Sequence, residues 1–97
     1  MAFKLIWSPT AKFDLRDIAA FIADDNKTAA ERFVDSAFKS VERLSDFPES
    51  GRKIPEFGDS AIREVIRKPC KIICRLNLGE SIIEIARVWH SLRGDIV

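Results

Sequence analysis

The sequence predicts an α+β fold in which a helical hairpin packs on one face of a mostly antiparallel sheet, in the order β-α-α-β-β-β. The chain opens with an apolar segment of strand-like alternation, continues with two amphipathic helical segments joined by a few residues, and closes with three strand-like segments. A helical hairpin must bury its apolar stripe against another element, and the sheet supplies that surface. The opposite face of the sheet is then left uncovered, so we look for function there.

Composition limits the class of protein. The chain has 97 residues, enough for one domain (residues 1–97) with a modest core, and its 46% apolar and 32% charged residues are typical of a soluble globular protein. No segment approaches the roughly 18 consecutive apolar residues of a membrane span, and the apolar run near the N-terminus is too short for a secretory signal. We therefore expect a cytoplasmic protein with no membrane partner.

The first strand and the first helix meet at Ser8 and Pro9. Residues 3–7 alternate in character, which predicts a strand. Ser8 followed by Pro9 predicts a helix start, because the serine hydroxyl can accept an amide of the first turn and proline at the first helical position loses no hydrogen bond. The helix should run to about Asp24. Its predicted buried stripe is Ala11, Leu15, Ile18, Ala19 and Ile22, and the residues expected to face elsewhere are Lys12, Asp14, Arg16 and Asp17.

The second helix follows a turn of sequence DDNKT. Either Asn26 or Thr28 can cap it, since Glu31, three residues after Thr28, completes a capping box. The helix should end at Phe47, because the residue before Pro48 is pushed out of the helical region. The predicted apolar stripe is Ala30, Phe33 or Val34, Ala37, Val41 and Leu44.

Three strand-like segments follow a loop: Ile62–Arg67, Cys70–Asn77 and residues 81–89. A short turn separates the last two, so they should form an antiparallel hairpin. The two cysteines, Cys70 and Cys74, lie about 13 Å apart along an extended strand, beyond the roughly 7 Å that a disulfide allows. We expect both on one face without a disulfide, and a single histidine in the chain leaves a metal site without ligands.

The second half of the chain carries the positive charge. Residues 1–50 hold 7 Lys/Arg against 9 Asp/Glu, whereas residues 51–97 hold 9 against 6, so the halves are at −2 and +3. This difference in charge between the halves favours an anionic partner for the second half.

The side chains of a strand alternate between its two faces. In the last strand, this alternation places four residues on one face: Ile83, Ile85, Arg87 and Trp89. The strand-like segments and the residues next to them carry a cluster of positively charged side chains, close to Trp89 and His90. These are Arg63, Arg67, Lys68, Lys71, Arg75 and Arg87. The cluster indicates a basic, partly apolar binding surface, although each single cation is also explained as a charged edge that discourages aggregation.

The residues offer little enzymatic chemistry. His90 is the single histidine, and a general base normally needs an orienting group and a nucleophile. Ser91 follows it but lies in no nucleophile elbow, and the sequence has no glycine-rich phosphate loop and no carboxylates at metal spacing. We therefore predict no cofactor and no metal. The sequence still allows one enzymatic alternative, a metal-independent nuclease that uses lysine, arginine and histidine.

Four motifs follow one another along the chain. They are WSPTAKFDLRDIAAFIADDN in the first helix, AAERFVDSAFKSVERLSDFPESGR in the second helix and its exit, IREV, and IIEIARVWHSLRG at the end. Together they resemble the RelE/ParE superfamily of bacterial type II toxins, and specifically its ParE branch, over nearly the whole chain. The resemblance implies a growth-inhibiting toxin, linked to plasmid stabilisation and encoded beside an antitoxin that wraps and silences it.

The two branches of that superfamily imply different activities. ParE-like toxins poison DNA gyrase, whereas RelE-like toxins cleave messenger RNA on the ribosome, and a shared fold does not choose between them. The RelE branch implies Lys71, His90 and Arg93 as a catalytic set, but Cys70 and Cys74 replace tyrosines usual in that strand. Our leading hypothesis is a non-enzymatic inhibitor that traps gyrase on cleaved DNA; an inert relative kept as an interaction module is a third interpretation. The predicted target-binding residues are Lys71, Arg87, Trp89, His90 and Arg93.

The partner implied by the resemblance is a ParD-like antitoxin with a ribbon-helix-helix DNA-binding domain, in a hetero-oligomeric complex. The uncovered apolar and basic sheet likewise favours an amphipathic, acidic, disordered segment that folds on contact. Candidate contacts of that segment are the groove beside the first helix and the residues Trp7, Leu15, Arg63 and Arg75.

Overall fold

The computed structural model describes residues 3–54, 58, 61–68 and 70–90. Two helices pack on a five-stranded mixed sheet, which confirms the predicted α+β fold. The elements are β1 (Lys4–Trp7), α1 (Pro9–Asp25), α2 (Lys27–Asp46), β2 (Arg52–Lys53), β3 (Ile62–Arg67), β4 (Cys70–Asn77) and β5 (Ile82–His90). The sequence does not predict β2, because two exposed residues are too few to show any alternation. Within the described residues, neither helix is long and apolar enough to cross a membrane.

The sheet has the strand order β1-β5-β4-β3-β2. β1 runs parallel to β5, and every other pair of neighbours is antiparallel. The last register pair between β1 and β5 joins Trp7 to Ile85, so β1 covers only the first part of β5. Beyond Ile85, the free side of β5 meets the beginning of α1.

Ser8 joins the start of α1 to β5. Its hydroxyl oxygen accepts a hydrogen bond from the Ala11 amide at 3.0 Å, and the hydroxyl donates to the Ala86 carbonyl at 2.9 Å. Pro9 begins the helix, as predicted. The start of α1 is therefore held beside the part of β5 that β1 leaves uncovered.

A single residue separates the two helices. Asn26 is extended, with φ of −155°, and its amide donates to the Ile22 carbonyl at 2.8 Å. Its side-chain oxygen accepts the Ala29 amide at 3.0 Å. Asn26 therefore closes α1 and caps α2. Of the two predicted caps Asn26 is correct, and Thr28 lies inside the first turn of α2.

The core lies between the helical hairpin and one face of the sheet. The helices contribute to it Ala11, Leu15, Ile18, Phe33, Ala37, Val41 and Leu44. The strands contribute Cys70, Ile72, Cys74, Leu76, Ile83, Ile85 and Val88. Both cysteines are free and buried, and they share this face, as predicted. Burial raises the pKa of the Cys74 thiol from 9.0 to about 11.

A β-bulge changes which residues of β5 face the core. Ile85 and Arg87 pair with consecutive residues of β4, so Ala86 between them has no opposite residue. Ile85 faces the helices before the bulge and Val88 faces them after it, and both are fully buried. The expected strict period of two, which places Ile85 and Arg87 on one face, is wrong because the extra residue shifts the alternation by one position. The β5 residues that face the helices are Ile83, Ile85, Val88 and His90.

Candidate functional site

Three of the predicted target-binding residues come together where β4 begins and β5 ends. Lys71 and Trp89 are paired across the two strands, and the guanidinium carbon of Arg87 lies 5.0 Å from the centroid of the Trp89 ring. A guanidinium at this distance from an indole ring makes a cation–π contact. By the register, all three side chains belong to the face of the sheet away from the helices. We refer to Lys71, Arg87 and Trp89 as the β5 cluster.

Asp14 on α1 holds Arg87 from the side. One carboxylate oxygen accepts the Nε–H of Arg87 at 2.7 Å and the other accepts an Nη2–H at 3.2 Å, which makes a two-point ion pair. The expectation that Asp14 faces away from the core is wrong, since the residue is only 3% exposed and packs against β5. The hydrogen bond to Asp14 raises the pKa of Arg87 above its ordinary value, so the guanidinium keeps its charge.

The same carboxylate closes an open edge of the sheet. The Oδ2 atom of Asp14 also accepts the Val88 amide at 3.0 Å. Val88 lies beyond the part of β5 that β1 covers, so no strand of the described chain can accept this amide. A buried amide without an acceptor costs about 1–3 kcal/mol. Asp14 therefore takes the place of a neighbouring strand at this position.

His90 is not part of the β5 cluster. It faces the helices and is 8% exposed, and its ring lies edge-on to Phe21 of α1 with 6.2 Å between the ring centroids. Lys71 and His90, two members of the alternative nuclease set, thus lie on opposite faces of the sheet. Arg93, the third member, lies outside the described residues. Within the described part of the chain, no three His, Cys, Asp or Glu side chains are grouped to hold a metal.

Comparison with known proteins assigns the chain to a family. Residues 5–94 match the family model described as the ParE toxin of the type II toxin-antitoxin system parDE. The chain belongs to the ParE toxin family. It is therefore a type II toxin of the RelE/ParE superfamily, and the resemblance found in its sequence motifs is confirmed.

The fold of this ParE-family toxin is shared by several solved structures, of which two are described. One is the toxin-antitoxin complex RelBE2 from Mycobacterium tuberculosis, with a TM-score of 0.70 and 16% identity over 93% of this chain and 99% of that chain. The other is the chromosomal ParDE toxin-antitoxin system from P. aeruginosa, with a TM-score of 0.72 and 21% identity over 92% of this chain and 96% of that chain. At these identities the likeness is one of fold. A search of curated protein sequences found no match.

Two of the residues predicted to contact an antitoxin help to hold the toxin's own fold. Leu15 is a core residue that is 7% exposed. Arg63 is also buried, and its Nη1 donates to the carbonyls of Glu49 and Gly51, both at 3.1 Å, which fixes the segment after α2. Their part in antitoxin binding stays a prediction.

The other two predicted contacts, Trp7 and Arg75, lie on different sides of the sheet. Trp7 is half-buried on the helix side, and its ring packs against Phe38 of α2 with 5.2 Å between the centroids. Arg75 is exposed on the open face, opposite Glu84 in the register. A partner that contacts both residues has to reach around the edge of the sheet.

Among the grooves beside the helical hairpin of the toxin, one is apolar and one is basic. The apolar groove, of about 560 Å³, runs between α1 and α2 on the side away from the sheet, and its lining includes Ala20, Ala23 and Phe38. The basic groove lies between α2 and β3 as two adjoining depressions, of about 760 and 440 Å³, that share Ile66 and Arg67. The cations that line it are Arg32, Arg43, Arg52, Arg67 and Lys68. A groove beside the first helix was expected from the sequence without its lining residues, and the basic groove was not expected. Each groove is formed by two elements whose packing the sequence does not specify.

Proposed function

We propose that this toxin inhibits bacterial growth by binding DNA gyrase and trapping it on cleaved DNA, and that a cognate antitoxin neutralises it. The observation that carries the proposal is the ParE family match over residues 5–94. ParE-like toxins are associated with gyrase, whereas RelE-like toxins act on the ribosome, so membership of the ParE family favours gyrase. In this mode the toxin binds its target and needs no reacting group of its own.

The β5 cluster supports a binding role. The side chain of Arg87 is 35% exposed, and Lys71 and Trp89 are each partly exposed beside it. Tryptophan and arginine are the residue types that most often dominate the energy of a protein interface. A lysine and an arginine next to a partly exposed ring also suit the phosphates of DNA held by a target enzyme. We assign target binding to the β5 cluster, with Arg93 as a further proposed member and His90 contributing through its packing behind the sheet.

The positions of Lys71 and His90 do not support the nuclease alternative. Groups that transfer protons to and from one phosphate must both come within about 3 Å of it. Lys71 and His90 instead serve opposite faces of the sheet. Cleavage of messenger RNA is therefore an outcome to test for and not a second proposal.

We further propose that the antitoxin occupies the two grooves. The RelBE2 structure that shares this fold is a toxin-antitoxin complex. An amphipathic helix suits the apolar groove, because small side chains such as Ala20 and Ala23 let a partner helix approach closely. An acidic stretch suits the basic groove, whose cations attract it. A ParD-like antitoxin with a ribbon-helix-helix domain and an acidic tail has this chemistry and forms a hetero-oligomeric complex with the toxin.

The proposal is tested by incubating the purified toxin with DNA gyrase, ATP and supercoiled plasmid, followed by detergent and protease. Trapped gyrase releases linear DNA under these conditions. Trp89→Ala should strongly reduce the linear product, because it removes the ring that Arg87 covers. Leu78→Ala is the matched control, since Leu78 is exposed in the turn at the opposite end of the β4–β5 hairpin.

Two results would overturn the proposal. One is a folded, growth-inhibiting toxin that yields no linear plasmid while messenger RNA is cut within codons on the ribosome. The other is a Trp89→Ala variant that produces as much linear DNA as the Leu78→Ala control, which would remove the β5 cluster from the target-binding surface.

A further inference from the structure

We infer that Asp14 is a positioning residue for the target-binding surface: its buried carboxylate sets the place of Arg87 and, through Arg87, the exposure of Trp89. The inference rests on the proposed function for the use made of this surface. The positioning itself follows from the geometry of α1 and β5.

Three hydrogen bonds converge on the carboxylate of Asp14. Two come from the guanidinium of Arg87 and the third from the amide of Val88. The carboxylate is therefore tied to the backbone of β5 and to the neighbouring side chain at once. A buried charge is tolerated only when it is paired and hydrogen-bonded, and Arg87 provides that pairing. Asp14 and Arg87 thus hold each other in a single arrangement.

The first two turns of α1 hold three consecutive residues of β5. Ser8 donates to the carbonyl of Ala86, the bulged residue, and Asp14 binds the two residues that follow it. The bulge is the point at which the alternation of β5 shifts, so it decides that Arg87 and Trp89 turn toward the open face. By holding the bulge and the residues after it, α1 fixes the direction in which the β5 cluster points.

The position of Arg87 also determines what it can offer a target. Asp14 accepts one N–H each from Nε and Nη2, and the guanidinium carbon lies over the ring of Trp89, 5.0 Å from its centroid. The two N–H groups of Nη1 and the second N–H of Nη2 are then left to donate to an incoming group. That group has to be an acceptor, such as a carboxylate of a protein or a phosphate of DNA. Without Asp14, the guanidinium can rotate and leave the ring of Trp89 uncovered.

The test measures the exposure of Trp89 directly. The chain has two tryptophans, so Trp7→Phe leaves Trp89 as the single fluorophore. In this background we compare Asp14→Asn, Arg87→Ala and the double variant by acrylamide quenching and by the gyrase assay. Asparagine keeps an oxygen that can accept the Val88 amide but removes the charge that pairs with Arg87. Asp24→Asn, at an exposed position of the same helix, is the matched control for loss of charge.

If Asp14 acts through Arg87, the two substitutions are not additive. Asp14→Asn should raise the quenching constant of Trp89 to the value of Arg87→Ala, and the double variant should show no further rise. The yield of linear plasmid should follow the same order, and Asp24→Asn should leave both readouts at the starting value. The inference is overturned if Asp14→Asn leaves quenching unchanged, or if its effect persists in full when Arg87 is already alanine.

A second variant covers the case in which Asp14→Asn does not fold. Arg87→Lys keeps a positive charge beside Asp14 but cannot make the two-point contact, so quenching of Trp89 should still rise. Quenching at the wild-type level in Arg87→Lys would overturn the inference. Quenching needs no gyrase, so the two claims fail separately. A wild-type toxin without linear product refutes the proposed target, and additive quenching refutes the role of Asp14.

Discussion

Lys71 and His90 occupy neighbouring pairs of the β4–β5 ladder and point to opposite faces of the sheet. Lys71 pairs with Trp89 on the open face, and His90 pairs with Cys70 on the face that packs against the helices. There the His90 ring meets Phe21 of α1. Two residues that a single catalytic set would require together therefore serve two different surfaces.

Alanine substitutions at these two positions should have separable effects. Lys71→Ala removes a partly exposed cation from the β5 cluster, so it should lower linear DNA formation by about tenfold without changing the melting temperature. His90→Ala removes a buried ring and should lower the free energy of unfolding by about 1–3 kcal/mol. Thermal unfolding and the gyrase assay on the same preparations check both. A His90→Ala protein of unchanged stability that has lost all toxicity would instead point to catalysis by His90.

Ser8 should contribute more to stability than Asn26, although each caps a helix by accepting an amide at 3.0 Å. Ser8 also donates to the Ala86 carbonyl, and it is half-buried where Asn26 is exposed. In urea denaturation we expect Ser8→Ala to lower the free energy of unfolding by about 2 kcal/mol and Asn26→Ala by about 1 kcal/mol. Equal losses would mean that the bond between Ser8 and Ala86 adds nothing to stability.

Cys74 should make the folded state less stable at alkaline pH. Burial raises its pKa from 9.0 to about 11, so the folded protein keeps the thiol proton to a higher pH than the unfolded chain does. The stability that this provides is complete below pH 9.0 and is lost as the pH rises through about 11. Urea unfolding of the wild type and of Cys74→Ala across this range should show the difference between them shrinking. A difference that stays constant with pH would contradict the burial of the thiol.

A carboxylate in the apolar groove should block the antitoxin and leave the toxin active. Ala23 is an exposed residue of this groove. Ala23→Glu sets a charge against the apolar side of the partner helix and repels its acidic residues, so affinity should fall at least about tenfold. Cells that express both proteins should then stop growing. Lys12→Glu, at an exposed position of α1 outside the groove, is the control. Full rescue of Ala23→Glu by the antitoxin would place the contact elsewhere.

Features governed by nearby residues could be predicted from the sequence. Ser8, Pro9 and Asn26 carry their capping chemistry in their own side chains, so both helix starts follow from residue type and spacing. The apolar stripes of the helices and the three long strands follow in the same way from periodicity. The bulge at Ala86 has no such local signal, since no glycine or other unusual residue marks it.

Asp14 shows why the site was only partly predictable. It comes three residues after Ala11 and four before Ile18, so its position fits the buried stripe of α1 as well as that of any apolar residue. A carboxylate side chain nevertheless predicts an exposed position, because a carboxylate is buried only where a cation or a hydrogen-bond donor pairs with it. That partner, Arg87, is 73 positions away in the sequence. Residue types alone selected the β5 cluster, but only the packing of α1 against β5 identifies what holds it.

The pairing of β1 with β5 has a consequence for the order in which the parts of the toxin are synthesised and can fold. Ser8 and its partner Ala86 are 78 positions apart. β1 therefore cannot pair with its neighbouring strand until β5 has been synthesised. At about 5–20 residues per second, that wait lasts about 4–16 s. The helical hairpin and β3 are synthesised within this time, before the strand that carries Arg87 and Trp89. A nascent chain therefore contains the residues that line the grooves proposed for the antitoxin before it contains the surface proposed to harm the cell.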